Sequence, residues 1–168
     1  MDFMLDQVFT AGGDALARAY ASRELYEHLV GLPKLGPPEV LDRQEDGDQV
    51  RLQIRYRFVG DLSPAVTAVV DPRKLTWVEH SVHDLVARTV SYRLAPDHYA
   101  DRLQSSGSCT IGDRTNGGSV RTVTGRLKVK ALIVGSAVER AIVSGLREHL
   151  TAEVALVDQF VATQGGVG

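Results

Sequence analysis

Two polar residues near the end of the chain, His149 and Glu153, are the clearest candidates for chemistry. They are four positions apart in a helical segment, so their side chains can meet. At about 100° per residue, both project into the middle of an apolar stripe. At the floor of a cavity, such a pair could bind a ligand oxygen or move a proton. A buried pair that ties the helix to a sheet, or a helix end that is simply exposed, would produce the same pattern, and interior polar pairs are usually structural.

A second polar group lies on a predicted strand at residues 75–83. Trp77 and Glu79 share one face of this strand, and His80 lies on the other. The sequence does not decide which face is inward: His80 is a pocket residue if its face is inward and a solvated residue otherwise. His80 and His83 point to opposite faces and cannot share an ion, so we predict no metal site.

Small side chains fill the segment Ser105-Ser106-Gly107-Ser108-Cys109-Thr110, which is unusual for a central strand. They would leave volume for a ligand cavity, or they mark a bulge where the sheet bends. Cys109 has no basic neighbour in sequence, so a role as nucleophile is not expected. The glycine pairs at 12–13 and 117–118 lack phosphate-loop spacing, and we expect no cofactor.

One long helix, predicted over residues 134–161, must position His149 and Glu153. The residues of its apolar stripe recur at helical spacing, and they are Val138, Ile142, Leu146, Val157 and Phe160. The residues of the opposite side are Arg140, Ser144, Arg147, Thr151 and Asp158. A helix with this much apolar area needs a sheet to cover it.

Most of the preceding chain alternates with a period of two, which predicts strands. We predict strands at residues 2–9, 39–44, 49–59, 75–83, 88–94, 102–111 and 119–131. The first strand is expected to be covered on both faces for part of its length. Two short helices follow it, one over residues 15–20 and one capped by Ser22. Residues 61–72 are interpreted as an apolar loop or a short helix. Short connections favour an antiparallel meander that curls around the long helix.

The totals are those of a soluble globular protein: 168 residues, 43% hydrophobic, 24% charged and a formal charge of −2. This charge argues against nucleic-acid binding. Six basic residues line the outer face of two strands, where a solvated sheet face is favoured over an RNA or partner surface: Arg51, Arg55, Arg57, Arg126, Lys128 and Lys130. The single cysteine excludes an internal disulfide. No secretory signal and no apolar run of about 20 residues is apparent, so we expect a cytoplasmic protein without integral membrane association.

The order of elements resembles the helix-grip fold of the START-like (SRPBCC) superfamily, which includes birch-pollen-allergen proteins and polyketide cyclases. The resemblance covers residues 1–162. It rests on the opening strand MDFMLDQVFTA, which runs into GGDALARAYAS, on the second helix RELYEHLVG and on the closing helix. The segments RYRFVGDLSP and LKVKALIVGSAVER resemble a bacterial branch with no assigned function. The resemblance implies an α+β fold with a seven-stranded curved antiparallel sheet, a long C-terminal helix and two short helices between strands 1 and 2. It also implies a cavity between sheet and helix and no universal catalytic motif.

We therefore expect a single domain at residues 1–163, a flexible tail at 164–168, and a cavity that binds an apolar or amphipathic small molecule. The expected ligand-binding residues are Tyr56, Phe58, Trp77, His80, Tyr92, Leu127, Leu146, His149, Glu153 and Phe160. The alternatives are an enzyme of the cyclase or dehydratase type, with His149 as acid or base, and a protein-interaction module with a filled core.

Overall fold

The computed structural model describes residues 1–68, 70–131 and 135–165. Within these ranges the chain forms seven strands and four α-helices in the order β1, α1, α2, β2, β3, α3, β4, β5, β6, β7, α4. The strands are β1 (Asp2–Phe9), β2 (Glu39–Asp46), β3 (Gln49–Arg57), β4 (Thr76–Asp84), β5 (Thr89–Pro96), β6 (Leu103–Asp113) and β7 (Ser119–Val129). The helices are α1 (Gly13–Tyr20), α2 (Arg23–His28), α3 (Pro64–Thr67) and α4 (Gly135–Gly165), and a 3-10 turn spans Pro72–Lys74.

The strands form one antiparallel sheet in the order β1-β7-β6-β5-β4-β3-β2. Strands β2 to β7 are a meander of consecutive hairpins, and β1 closes it by pairing with β7. The pairing of β2 with β3 shifts its register between Val40 and Asp42 of β2. The α+β helix-grip fold, with two short helices between the first two strands, is confirmed.

The closing helix packs on the sheet largely in the predicted phase. Val157 is fully enclosed, Val138 and Phe160 are buried, and Arg147 is exposed. Ile142, however, is 38% exposed, so its predicted place in the buried stripe is wrong. The first half of α4 borders open space rather than packed side chains, and Ile142 lines that space.

The ends of this helix differ from the prediction. Its predicted first residue, Val134, lies outside the described residues. At the other end, Gln164 and Gly165 belong to the helix rather than to a tail. The remainder of the predicted tail, residues 166–168, also lies outside the described ranges.

The outer face of β1 is exposed to solvent, although the sequence predicted that both faces of this strand are covered for part of its length. Met4 is 65% and Val8 52% exposed, so only the inner face of β1 is covered. The basic residues of β3 and β7 are indeed solvent-facing, but three strands separate the two groups. Arg126 pairs with Asp2 at 2.7 Å, and Arg55 with Asp97 at 3.3 Å. These residues therefore form no continuous basic surface.

The two short helices fill one end of the space between the sheet and α4. The hydroxyl of Ser22 accepts a hydrogen bond from the backbone N–H of Leu25, which caps α2 as predicted. Leu16 and Leu25 are fully buried in the main core, together with Phe9 and Val157. At the other end, α3 is the short helix that was one of the two alternatives expected at residues 61–72, and the 3-10 turn follows it. The core is therefore packed at one end and open at the other.

Candidate functional site

A cavity of about 510 Å³ lies between the concave face of the sheet and the first half of α4. Residues of α3, the 3-10 turn, the β5–β6 connection and α4 border its outer end. Its walls are mainly aromatic and aliphatic, and they include Phe3, Tyr56, Phe58, Trp77, Leu127 and Leu146. The rings of Tyr56 and Trp77 stack with their centroids 6.0 Å apart. The volume falls within the range of about 300–1,000 Å³ typical of small-molecule sites.

Eight of the ten predicted ligand-binding residues line this cavity, and they are Tyr56, Phe58, Trp77, Tyr92, Leu127, Leu146, His149 and Glu153. Two do not. His80 lies on the outer face of β4, because Trp77 and Glu79 take the inner face, and it is paired across the sheet with Arg93. Phe160 lies about two helical turns beyond Glu153 along α4, in the packed core beside His28, with ring centroids 5.8 Å apart.

The deep end of the cavity is polar. We call it the polar floor and define it by eight residues that line the cavity on six elements: Tyr20, Tyr26, Glu79, His83, Cys109, Arg121, His149 and Glu153. All of them except Glu79 and Arg121 are buried, and these two are partly buried. Polar groups withdrawn from water to this extent need partners inside the protein.

Glu153 is held from three directions. Its Oε1 atom accepts hydrogen bonds from the Tyr20 hydroxyl at 2.7 Å and from Nε2 of Gln7 at 2.9 Å. Nη1 of Arg121 lies 3.6 Å from the same oxygen. The other oxygen, Oε2, lies 3.8 Å from Nε2 of His149. One oxygen is therefore committed to the fold, whereas the other has no closer partner among the described residues.

His149 is fixed by the backbone. Its Nδ1 atom lies 3.0 Å from the carbonyl oxygen of Pro33. A carbonyl oxygen only accepts, so Nδ1 must carry the hydrogen. This contact leaves Nε2 to face Glu153 and the cavity. The structure thus combines two of the interpretations of this pair: both side chains are buried and tie α4 to the fold, and both line the cavity.

Arg121 is the cation of the polar floor. Its Nη1 donates to Gln7, its Nη2 donates to the Cys109 sulfur at 3.4 Å, and its Cζ lies 4.1 Å from the centroid of the Tyr20 ring. Its Nε is enclosed and has no hydrogen-bond partner among the described residues. Cys109, which has no basic neighbour in sequence, therefore has one in space. Burial nevertheless raises the pKa of the Cys109 thiol, and Arg121 only partly opposes this effect.

Glu79 differs from Glu153 because no described residue forms a hydrogen bond or salt bridge with its carboxyl group. Its cross-strand neighbours are Ile54 and Leu94, which are both apolar. Among the described residues no donor is within hydrogen-bond distance of its carboxyl group. Burial raises its pKa from 4.5 to about 7, and Arg121 opposes the shift from a distance. Its side chain remains partly accessible, and that access is to the cavity.

The remaining histidine of the polar floor is uncharged. Burial lowers the pKa of His83 to about 4, and the positive charges of Arg121 and Arg43 act in the same direction. Its Nε2 lies 3.1 Å from the hydroxyl of Ser81, on the same face of β4. At neutral pH His83 therefore adds hydrogen-bonding capacity but no charge.

Two glycines on neighbouring strands make room for the large side chains of this region. Gly107 on β6 pairs directly with Gly125 on β7 and with Tyr92 on β5. A Cβ atom at Gly107 would lie 2.0 Å from the Thr124 carbonyl oxygen and 2.6 Å from the Tyr92 hydroxyl. The strand pairing is regular from Leu103 to Asp113, so this segment of small residues contains no bulge. The small residues instead admit Tyr92, whose hydroxyl donates to the Thr124 carbonyl at 3.2 Å.

The expected ligand-binding residues did not include Gln7, Tyr20, Glu79 or Arg121, although strand alternation could have identified three of them. Arg121 is two residues from Val123 on the inner face of β7, and Gln7 is two residues from Phe9 on the inner face of β1. Glu79 has the same parity as Trp77. Tyr20 carries no such signal, because its place depends on how α1 docks onto α4.

The arrangement can hold a small molecule with an apolar body and one polar end. Within the described ranges, no group of three His, Cys, Asp or Glu residues has the geometry of a metal site. In the same ranges, no helix is both long and apolar enough to cross a bilayer.

Residues 5–161 match the profile of a family described as "Protein of unknown function (DUF2505)". No curated protein sequence matches the chain.

Three solved structures illustrate the likeness in fold. TTHA0849 from Thermus thermophilus is 13% identical, with a TM-score of 0.68 over 98% of this chain and 99% of that one. The Zhui aromatase/cyclase from Streptomyces sp. R1128 is 12% identical, with a TM-score of 0.67 over 98% and 95%. Norcoclaurine synthase from Thalictrum flavum is 16% identical, with a TM-score of 0.61 over 96% and 86%. At these identities the comparisons show the helix-grip fold.

Proposed function

Since this chain belongs to the family described as DUF2505, whose description names no activity, we propose from the geometry of its cavity that it binds an amphipathic small molecule. The observation that carries the proposal is the pairing of apolar walls with a polar floor in one space of about 510 Å³. Apolar walls favour the body of a lipid-like, sterol-like or polyketide-like molecule by roughly 25 cal/mol per Å² removed from water. The polar floor then orients one end of that molecule.

The unpaired polar atoms support this orientation. Among the described residues Glu79 has no partner, and Oε2 of Glu153 and Nε2 of His149 stand 3.8 Å apart without a direct hydrogen bond. Leaving buried polar atoms unpaired costs on the order of 1–3 kcal/mol each. A ligand group or ordered water that reaches these atoms would offset that cost. A filled-core interaction module does not account for an open space at this position.

Native mass spectrometry of freshly purified protein tests the proposal. We expect folded ions to carry one small molecule per chain, which denaturing conditions release. A preparation without an adduct would be incubated with a fatty acid, a fatty alcohol and a sterol. Folded protein that carries no adduct and takes up none of the three would contradict the proposal.

A second candidate is an enzyme of the cyclase or dehydratase type in the same cavity. One observation favours it: the pKa of Glu79 is about 7, which suits a general acid or base at neutral pH. A ligand recovered from the protein after incubation would then differ in covalent structure from the ligand supplied, for example by the mass of one water. Recovery of only unchanged ligand from every bound compound would argue for binding alone.

The compartment is a further part of the proposal. The one cysteine of the chain is buried in the cavity wall, and a reducing compartment such as the cytoplasm fits a thiol of this kind.

A further inference from the structure

The polar floor contains two carboxyl groups, Glu79 and Glu153, but only one arginine, Arg121. Arg121 and Glu153 lie 3.6 Å apart and offset each other. Glu79 is a second carboxyl group in the same space, and within the described residues it has no salt bridge and no hydrogen bond. Ile54 and Leu94, its neighbours across β3 and β5, give it only apolar contacts.

The arginine of the polar floor is held by other partners. The two terminal nitrogens of Arg121 bond to Gln7 and Cys109, and its Nε is enclosed. Turning the guanidinium toward Glu79 would break both bonds, remove the guanidinium from the face of the Tyr20 ring and take the cation away from Glu153. A buried carboxylate without a partner is among the most unfavourable groups in a protein interior.

We propose that the ligand of this cavity carries a cationic nitrogen, such as a protonated amine, that pairs with Glu79 at the polar floor. This inference rests on the proposed function and adds the chemical class of the ligand. The rest of the cavity would hold the apolar body of the same molecule against Trp77, Tyr56 and Leu146.

In this pairing, the ammonium group of the ligand replaces the proton on the carboxyl group of Glu79. In the empty cavity, Glu79 offsets its desolvation by holding a proton at pH values below about 7. An entering ammonium group makes that proton unnecessary, so the carboxyl group releases it to solvent and forms an ion pair. Charge balances: one protonated carboxyl group and one ammonium ion give one ion pair and one free proton.

Several groups line the same cavity as Glu79 and would modulate this exchange. From β7 comes Arg121, from α4 come His149 and Glu153, and from β4 itself comes His83. Phenols and a thiol come from Tyr20, Tyr26, Tyr56, Tyr92 and Cys109. Elsewhere the cavity lining also contains the charged or titratable side chains of Lys34, Asp61, Lys74, His98, Arg102, Lys130 and Glu148. Burial raises the pKa values of Tyr20, Tyr26, Tyr56, Tyr92 and Cys109, and it lowers the pKa of His83. None of these six side chains therefore changes charge near pH 7.

Three probes of one shape test the proposal: 2-(1-naphthyl)ethylamine, 2-(1-naphthyl)ethanol and 1-naphthylacetate. Isothermal titration calorimetry at pH 7 in phosphate and in Tris gives both the affinity and the number of protons released. We expect the amine to bind about tenfold or more tightly than the carboxylate. We also expect the amine to release a measurable fraction of a proton per chain, because Glu79, with a pKa of about 7, is partly protonated at this pH. The alcohol should release none.

The variant Glu79→Gln should remove both the proton release and the preference for the amine while leaving alcohol binding in place. The exposed carboxylate Glu39, on β2, provides the matched control: Glu39→Gln should change neither quantity. Urea unfolding of each variant shows that it is folded under the conditions of the titration.

The outcomes separate this inference from the proposed function. Equal binding of all three probes without proton release, or tightest binding of the carboxylate, would overturn the cationic ligand while leaving the cavity as a binding site. An amine preference that survives in Glu79→Gln would overturn it as well. Failure of the neutral alcohol and the amine alike to bind would instead count against the binding function itself.

Discussion

The hydroxyl of Tyr20 donates a 2.7 Å hydrogen bond to Oε1 of Glu153, and this contact joins the first helix of the chain to the last. Gln7 of β1 reaches the same oxygen at 2.9 Å and also donates to the backbone carbonyl of Leu150 at 2.6 Å. Arg121 supplies the charge that Glu153 requires. Oε1 of Glu153 is therefore bound by other parts of the fold, whereas Oε2 is directed toward His149 and the cavity.

Replacing Glu153 with leucine should destabilise the protein by about 3–5 kcal/mol, because it leaves Arg121 as a buried charge without a partner. Urea unfolding measures this change. Glu148→Leu is the matched control on the same helix: Glu148 forms a largely exposed pair with Lys34 at 3.4 Å, and such a pair contributes less than about 1 kcal/mol. Equal losses in the two variants would contradict a structural role for Glu153.

The double variant Glu153→Leu with Arg121→Met should be less destabilised than the sum of its single variants. Residues in one charge network couple by about 0.5–3 kcal/mol. Strict additivity of the three measured free energies of unfolding would show that the two groups do not interact.

Replacing His149 with leucine should cost only about 1–2 kcal/mol. The change orphans the Pro33 carbonyl, a typical loss for one hydrogen bond, but Glu153 keeps Tyr20, Gln7 and Arg121. Affinity for a cavity ligand should fall in the same variant, because Nε2 faces the cavity. A loss of stability comparable to that of Glu153→Leu, with unchanged ligand affinity, would show that His149 is structural only.

The stability of the protein should depend on pH through Glu79. Its pKa is raised in the folded state, from an ordinary 4.5 to about 7. Folding therefore favours its protonated form, and stability is lost as pH rises from 4.5 through about 7. At 1.36 kcal/mol per pH unit the full loss is about 3 kcal/mol.

The variant Glu79→Gln isolates this effect. It should match the native protein at pH 4.5 and exceed its free energy of unfolding by about 3 kcal/mol at pH 8. Unfolding curves for both proteins at a series of pH values provide the measurement. A stability difference that does not vary with pH would mean that the folded protein does not perturb this carboxyl group.

Two glycines of β6, Gly107 and Gly112, should respond very differently to replacement by alanine. Gly107→Ala should destabilise the protein by about 2–3 kcal/mol, as overpacking does, because the new methyl group would lie 2.0 Å from a backbone oxygen. Gly112→Ala on the same strand meets nothing within 4 Å and should be neutral or slightly stabilising. Similar thermal unfolding of the two variants would contradict the close approach of β6 and β7.

The fold was predictable because its signals are local. Alternation in Val50, Leu52 and Ile54 defines a strand with one buried face, and all three are less than 2% exposed. The spacing of His149 and Glu153 from Val157 gave the phase of α4 correctly. Ile142 broke the pattern because a helix beside a cavity need not bury its stripe.

The site was less predictable because its contacts are distant in sequence. Glu153 meets Gln7 and Tyr20 across more than 130 positions, and no periodicity encodes that meeting. The parity of β4, which decides between Trp77 and His80, also had to come from the structure.

Titration with the neutral fluorophore N-phenyl-1-naphthylamine tests the binding cavity most directly. Leu146 lines the cavity, whereas its neighbour Arg147 faces solvent, so Leu146→Trp and Arg147→Trp differ only in where the indole points. We expect one saturable dye site per chain in the native protein and in Arg147→Trp, with affinity reduced about tenfold or more in Leu146→Trp. No saturable binding, or equal binding by both variants, would contradict a ligand cavity between the sheet and the closing helix.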